Sequence, residues 1–222
     1  MLTDEQIEKN YKEFIDLLTT NVKREGINNL VAWLNAKDTK VAPATTKYHG
    51  AYKGGLVEHI LHTYKRLKKL LNVEYPTFVV DETGKEIKEI ESSCPYSDET
   101  IAIVGLLLDI SKVGYYEVAE RNVKDENGNW IKVPYYQAKD VSTRLFFGSH
   151  SMNSVYMVSK FIKLTYDEEL ALLYHMGGFD ASDDTISVKN ISTAFAKVPL
   201  ALLLHQADAQ ATFLDGNVKV SE

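Results

Sequence analysis

The segment Ile101-Ala102-Ile103-Val104-Gly105-Leu106-Leu107-Leu108 is apolar on every side and runs directly into Asp109. Ser97 and Asp98 ahead of it are helix-capping residue types, so the run reads as a helix with no polar face. Such a helix offers nothing to water and belongs in the middle of a fold. It is far shorter than the roughly 18 residues that a membrane span needs. A carboxylate at its end is costly to bury unless a partner meets it. The rest of the chain must therefore supply a shell of amphipathic elements and a polar partner for Asp109.

The shell is legible. Thr3 and Gln6 have capping-box spacing, and Ile7, Phe14, Leu17 and Leu18 follow with helical period. Ile27, Leu30, Val31 and Leu34 make a second, shorter face. Residues 37–46 read as a loop around Pro43. After Gly54-Gly55 a strong helix buries Val57, Ile60, Leu61, Tyr64, Leu67 and Leu71 and turns Lys65, Arg66, Lys68 and Lys69 to water. Phe78–Val80, the turn at Asp81–Gly84 and Ile87 predict one hairpin. Tyr115–Lys124, Asn127-Gly128 and Trp130–Gln137 predict another. Helices resume near Ser151. A second capping box, Thr165 with Glu168, opens a helix to Met176 that Gly177-Gly178 closes. The last helix starts near Pro199 and runs through Leu204, Asp208 and Phe213. The expected fold is mainly α: one domain over residues 1–222, with N-terminal helices in 1–46 and two small β-hairpin insertions at about 75–90 and 115–137.

Several function classes drop out. The lone cysteine, Cys94 between Ser93 and Pro95, excludes an intramolecular disulfide and a four-cysteine zinc cage, and is read as incidental. The phosphate-loop, dinucleotide-turn, nucleophile-elbow and HExxH patterns are all missing. The N-terminus reads as a polar helix start, not a signal peptide, so a cytoplasmic protein is expected. A net charge of −6 disfavours a track for long nucleic acid.

What remains is a set of polar residues on the most apolar helices: His59, Asp109, His150, His175 and Asp208. Each alone has an ordinary explanation as a hydrogen-bonded core histidine or a helix-end aspartate. Together, on separate elements, imidazoles and carboxylates are the usual ligands of a divalent transition metal.

In these words the sequence resembles the HD-domain metal-dependent phosphohydrolases. The resemblance rests on His59 in HGAYKGGLVEH, Asp109 in GLLLDISK, His150, His175 in YHMGG and Asp208 in HQADAQA, and covers roughly residues 48–212. The chain is most similar to small HD proteins of bacteriophages and bacteria. The resemblance implies hydrolysis of a phosphoester or phosphoanhydride with one or two ions of Mn, Fe, Ni, Co or Zn. In the two-ion form Asp109 would bridge, His59 and Asp208 would hold one ion, and His150 and His175 the other. Lys112 would meet a phosphate oxygen or assist the leaving group, making Asp109 and Lys112 the expected catalytic pair.

The family's name comes from a His-Asp doublet, and here the doublet is Leu108-Asp109. Three readings stay open: an enzyme with one imidazole fewer, an enzyme in which His62 or His205 replaces it, or a catalytically impaired relative that binds a nucleotide or a protein partner. For substrate contact the sequence offers Lys112, Tyr52, Lys53 and His49, with Tyr115, Tyr116, Tyr135 and Tyr136 as stacking surfaces or simply as strand residues. Arg66, Arg121 and Arg144 are further phosphate candidates. The expected ligand is a nucleotide or another small phosphorylated molecule, with no role for a membrane.

Overall fold

The computed structural model describes residues 1–89, 93–144, 148–179 and 185–216, so the expected end of the first hairpin, residue 90, lies outside it. The fold is mainly helical. The elements are α1 (Asp4–Asn21), α2 (Ile27–Asn35), α3 (Gly55–Glu74), the hairpin β1–β2 (Phe78–Val80, Glu86–Glu89), α4 (Asp98–Leu107), the hairpin β3–β4 (Tyr116–Lys124, Trp130–Ala138), α5 (His150–Ser159), α6 (Tyr166–Tyr174), α7 (Thr185–Lys197) and α8 (Pro199–Gln210), which continues as a π-helical turn, Ala211–Asp215. Both hairpins are antiparallel. No helix among the described residues is long and apolar enough to cross a membrane.

α4 is the hub. It packs against α1, α3 and α6, while α8 packs against α3 and α6. Ala102, Ile103, Val104, Leu106, Leu107 and Leu108 are each at most 1% exposed, as a helix with no polar face requires. Gly105 lets α3 come close: a Cβ there would lie 2.9 Å from Tyr64 Cδ2. One core runs through α1, α2, α3, α4, α5, α6 and α8.

The caps form where the spacing predicts them. Thr3 Oγ1 accepts from the Gln6 amide, and Gln6 Oε1 accepts from the Thr3 amide. Thr165 and Glu168 do the same for α6, and Ser97 rather than Asp98 caps α4. Glu168 does more than cap. It is fully buried, and its carboxylate accepts from Arg24 Nη1 and Nη2 at 2.5 and 2.7 Å, from Thr100 Oγ1 at 2.8 Å and from the Thr165 amide at 2.8 Å. This network ties the α1–α2 connection to α4 and α6. Burial alone would raise the Glu168 pKa, but Arg24 and the amide outweigh it and hold the carboxyl below its ordinary value.

Two features differ from the sequence reading. α7 is absent from it, because among its described side chains only Ala194 is buried, with Ile191 and Phe195 half-buried, too weak an apolar period to signal a helix. Arg66 does not face water with its lysine neighbours. It is half-buried and bidentate to Asp215, with Nε at 2.9 Å and Nη2 at 2.6 Å, which pins the turn after α8 to α3.

Candidate metal and ligand site

Four elements and one turn bring the expected residues to one place. α4 ends at Leu107, and Asp109 follows in a bridge-region conformation, φ −105° and ψ 14°, which directs its carboxylate out of the helix line. His59 comes from α3, His150 is the first residue of α5, His175 follows the last turn of α6, and Asp208 lies on α8.

Asp109 is the centre. Its Oδ1 is 2.6 Å from His150 Nε2 and 3.8 Å from His175 Nε2. Its Oδ2 is 2.7 Å from Lys112 Nζ and 3.4 Å from His59 Nε2. His59 Nε2 is also 2.9 Å from Asp208 Oδ1. Burial would raise the Asp109 pKa, but Lys112 and His150 more than compensate and keep the carboxyl well below its usual range. Burial lowers the His150 pKa. At His175 burial also pulls downward, but Asp109 and Asp208 outweigh it and the pKa is raised. The Lys112 ammonium, opposed by burial, is held charged by Asp109.

The ring orientations suit a metal. His175 Nδ1 donates to the Leu172 carbonyl at 2.7 Å, so in the neutral ring, the form that binds a metal, the lone pair is on Nε2. That Nε2 is buried and has no hydrogen-bond partner among the described residues. An orphaned acceptor at this depth is expensive unless something fills the space it faces. His150 Nδ1 is 2.6 Å from Ser111 Oγ, and the Ser111 amide is 3.4 Å from Ser154 Oγ on α5. A metal-ligating histidine normally has such a second hydrogen bond fixing its ring. Asp109, His150 and His175 each offer a ligand atom, all within 4.8 Å of one another. This cluster could hold a metal ion. His59 and Asp208 pair with each other beside it and fall outside the three-residue group.

Leu108 is fully buried in the apolar core and is not among the residues that line the site. Neither proposed substitute takes the place of the missing imidazole. His205 Nδ1 meets the His175 carbonyl at 2.7 Å, and its ring stacks on Phe195. Gly177, with φ +53°, packs flat on that ring, since a Cβ would come within 2.6 Å of it. His62 acts electrostatically on Asp215 instead.

Through His150 the cluster adjoins a cavity of about 960 Å³, within the usual size range for ligand pockets. His49, Lys112, His150 and Asp208 reach it, and Tyr48, Tyr115, Tyr116, Phe179 and Phe213 give it aromatic walls. His49 is positioned by two glycines of the HGAYKGG segment. A Cβ on Gly55 would lie 2.1 Å from the Gly50 carbonyl oxygen, so the loop can press directly onto the start of α3. The His49 ring then sits 4.5 Å from that of His59. Burial, followed by repulsion from His59 and Lys112, lowers its pKa to about 4. It faces the cavity as a neutral imidazole.

The other contact candidates divide. Tyr115 lines the cavity with Arg144 over its ring, 4.9 Å from the centroid, and Tyr116 meets Tyr115 edge-on. Tyr52 and Lys53 are engaged elsewhere: Tyr52 donates to Glu58, and exposed Lys53 pairs with Asp4 at 2.7 Å. Neither is among the described residues lining the cavity. Tyr135 and Arg121 pair with each other on the β3–β4 hairpin. The sequence reading missed Ser111, Asn153 and Phe213. Only Ser111 carried a signal, through its position between Asp109 and Lys112.

No protein-family model, no curated protein and no solved structure matches the chain.

Proposed function

We propose that the chain is a divalent-metal-dependent phosphohydrolase of the HD type, acting on a nucleotide or related small phosphoester. The observation that carries this is the His175 Nε2, unpartnered among the described residues, which faces Asp109 beside His150 where His150 reaches a ligand-sized cavity. Asp109, His150 and His175 would hold the ion, and the donor set of two nitrogens and one carboxylate suits Mn, Fe, Co, Ni or Zn. When bound, such an ion neutralises charge on a phosphoryl group and acidifies a water at neutral pH.

The chain's own groups do the rest. Lys112, charged and half-buried beside Asp109, offers an ammonium to a phosphoryl oxygen or to the leaving group. Ser111 holds the His150 ring. His49, neutral at pH 7, reaches the cavity as a hydrogen-bonding group that does not repel a cation. Tyr115 and Tyr116 give the cavity aromatic surface against which a base can pack.

The closed His59–Asp208 pair favours one ion over two. With Leu108 in the core, it also sustains a second reading, a nucleotide-binding protein that does not hydrolyse its ligand. A hydrolysis panel of nucleoside mono-, di- and triphosphates with Mn²⁺ separates the two. Phosphate release that EDTA abolishes is expected. Binding without turnover across the panel would favour the second reading, and neither metal nor nucleotide binding would sink both.

A further inference from the structure

α5 places a second polar group in the cavity. Asn153 follows His150 by one helical turn, so the two share a face with Cβ atoms about 5–6 Å apart. Asn153 is 7% exposed and lines the main cavity. It also lines a small adjoining recess, together with Ser111, Tyr115 and Arg144. Its Nδ2 donates to the Gly148 carbonyl at 3.3 Å, which sets the amide orientation. Its Oδ1 is buried and has no hydrogen-bond partner among the described residues.

A buried acceptor without a donor is a standing cost that a ligand can remove. The neighbours of Asn153 show what kind of ligand. His150 lies one turn back along α5 and, with Asp109 and His175 from neighbouring elements, would take a phosphoryl group. Arg144 closes the recess with a cation whose Nε donates to the Lys139 carbonyl at 2.9 Å and which lies over Tyr115. Asp140, in the same loop, is the carboxylate that feels this charge. A group that reaches Asn153 from a phosphate held by the cluster must carry a hydrogen-bond donor about one helical turn away. A hydroxyl on the sugar that the phosphate esterifies meets this requirement.

We propose that Asn153 is a specificity-determining residue that accepts a hydrogen bond from a sugar hydroxyl of the substrate. The preferred substrate class is then a ribonucleoside phosphate over its deoxy counterpart. This rests on the phosphohydrolase reading for where the phosphate sits. Physically, a site built to bond a hydroxyl penalises the analogue lacking it, because the protein acceptor is left unpaired.

The test is titration calorimetry on the full chain with Mn²⁺. The ligands are adenosine 5′-monophosphate and its 2′-deoxy and 3′-deoxy analogues, and hydrolysis of each is measured in parallel. The wild type should bind the ribonucleotide about tenfold more tightly than one of the two analogues, the factor that 1.4 kcal/mol represents. Asn153→Leu should bind all three equally at the weaker level, with its affinity for Mn²⁺ alone unchanged. Asn153→Ala gives the same comparison if the leucine variant misfolds, and the wild-type arm needs no variant. Equal wild-type affinity for all three, no binding of any, or a preference that survives in the variants would overturn the proposal. So would loss of Mn²⁺ affinity in the variants, which would make Asn153 a metal ligand. A ribose preference without turnover would leave Asn153 its role and remove the hydrolase reading. Turnover without preference would do the reverse.

Discussion

Asp109→Asn is the perturbation that most directly probes the centre of the site. The substitution keeps shape and volume but removes the charge that faces Lys112, His150, His59 and His175. An amide has one acceptor oxygen, so it can serve Lys112 or His150 but not both, and its NH₂ turns toward another donor. Truncating one partner of a buried ionic cluster costs about 3–5 kcal/mol. Lys112 is 13% exposed at its side chain and recovers some hydration, which places the expected loss near ~3 kcal/mol. For a chain of this length each kcal/mol moves Tm by about 2–4 °C, so the metal-free D109N variant should melt roughly 6–12 °C lower. The decisive comparison is with metal. If the wild type binds Mn²⁺ with a Kd a hundredfold below the concentration used, it gains about 2.7 kcal/mol, or roughly 5–11 °C by the same conversion. The variant should gain less than about 2 °C. Differential scanning calorimetry with EDTA and with Mn²⁺ reads both numbers. A D109N variant that keeps the full metal-induced shift would refute the assignment of Asp109 as a ligand, whatever happens to activity.

Other outcomes follow from the same structure. Glu168→Ala should cost about 3–5 kcal/mol in urea denaturation, because Arg24 keeps only the 3.3 Å contact with the Glu99 carboxylate to balance its charge, beside its bond to the Lys163 carbonyl. Since the Glu168 pKa is lowered on folding, this network's contribution is full above the ordinary glutamate value of 4.5. It is lost as pH falls below that value, so the gap between wild type and Glu168→Ala should narrow in acid. Ser111→Ala should weaken Mn²⁺ binding by about 10–100-fold through loss of the His150 Nδ1 partner, with folding stability changed far less; an unchanged calorimetric Kd would count against that role. Gly55→Ala should destabilise and displace the His49 loop, because the new methyl meets the Gly50 carbonyl; a change in stability below about 0.5 kcal/mol would contradict the packing. Leu108→His should destabilise by about 1–3 kcal/mol without tightening Mn²⁺ binding; tighter binding would mean that a side chain at 108 reaches the ion.

The fold was readable wherever a local rule was strong. The capping boxes at Thr3 and Thr165, the glycine pair before α3 and the Asn127-Gly128 turn act over a few residues, so sequence spacing states them directly. α7 escaped because its contacts are few and its exposed face has no apolar period. Arg66 was misread for a different reason. Its helix position suggested water, but its partner Asp215 lies on a distant turn that only packing brings near. Tyr52 and Lys53 looked like pocket residues by proximity in sequence, yet their side chains pair with Glu58 and Asp4 instead.

By itself the sequence determined that an apolar helix must sit at the centre, that Asp109 would need partners there, and that histidines on other helices were the candidates. Burial free energy and helical period enforce those conclusions without reference to any partner in space. Tertiary structure alone decided which nitrogen of His175 is orphaned, that His59 pairs with Asp208, that Leu108 belongs to the core, and that Asn153 shares the cavity. Each depends on the relative rotation of helices far apart in the chain. A shift of one residue in a helix turns a side chain by about 100°, and no local rule specifies that angle.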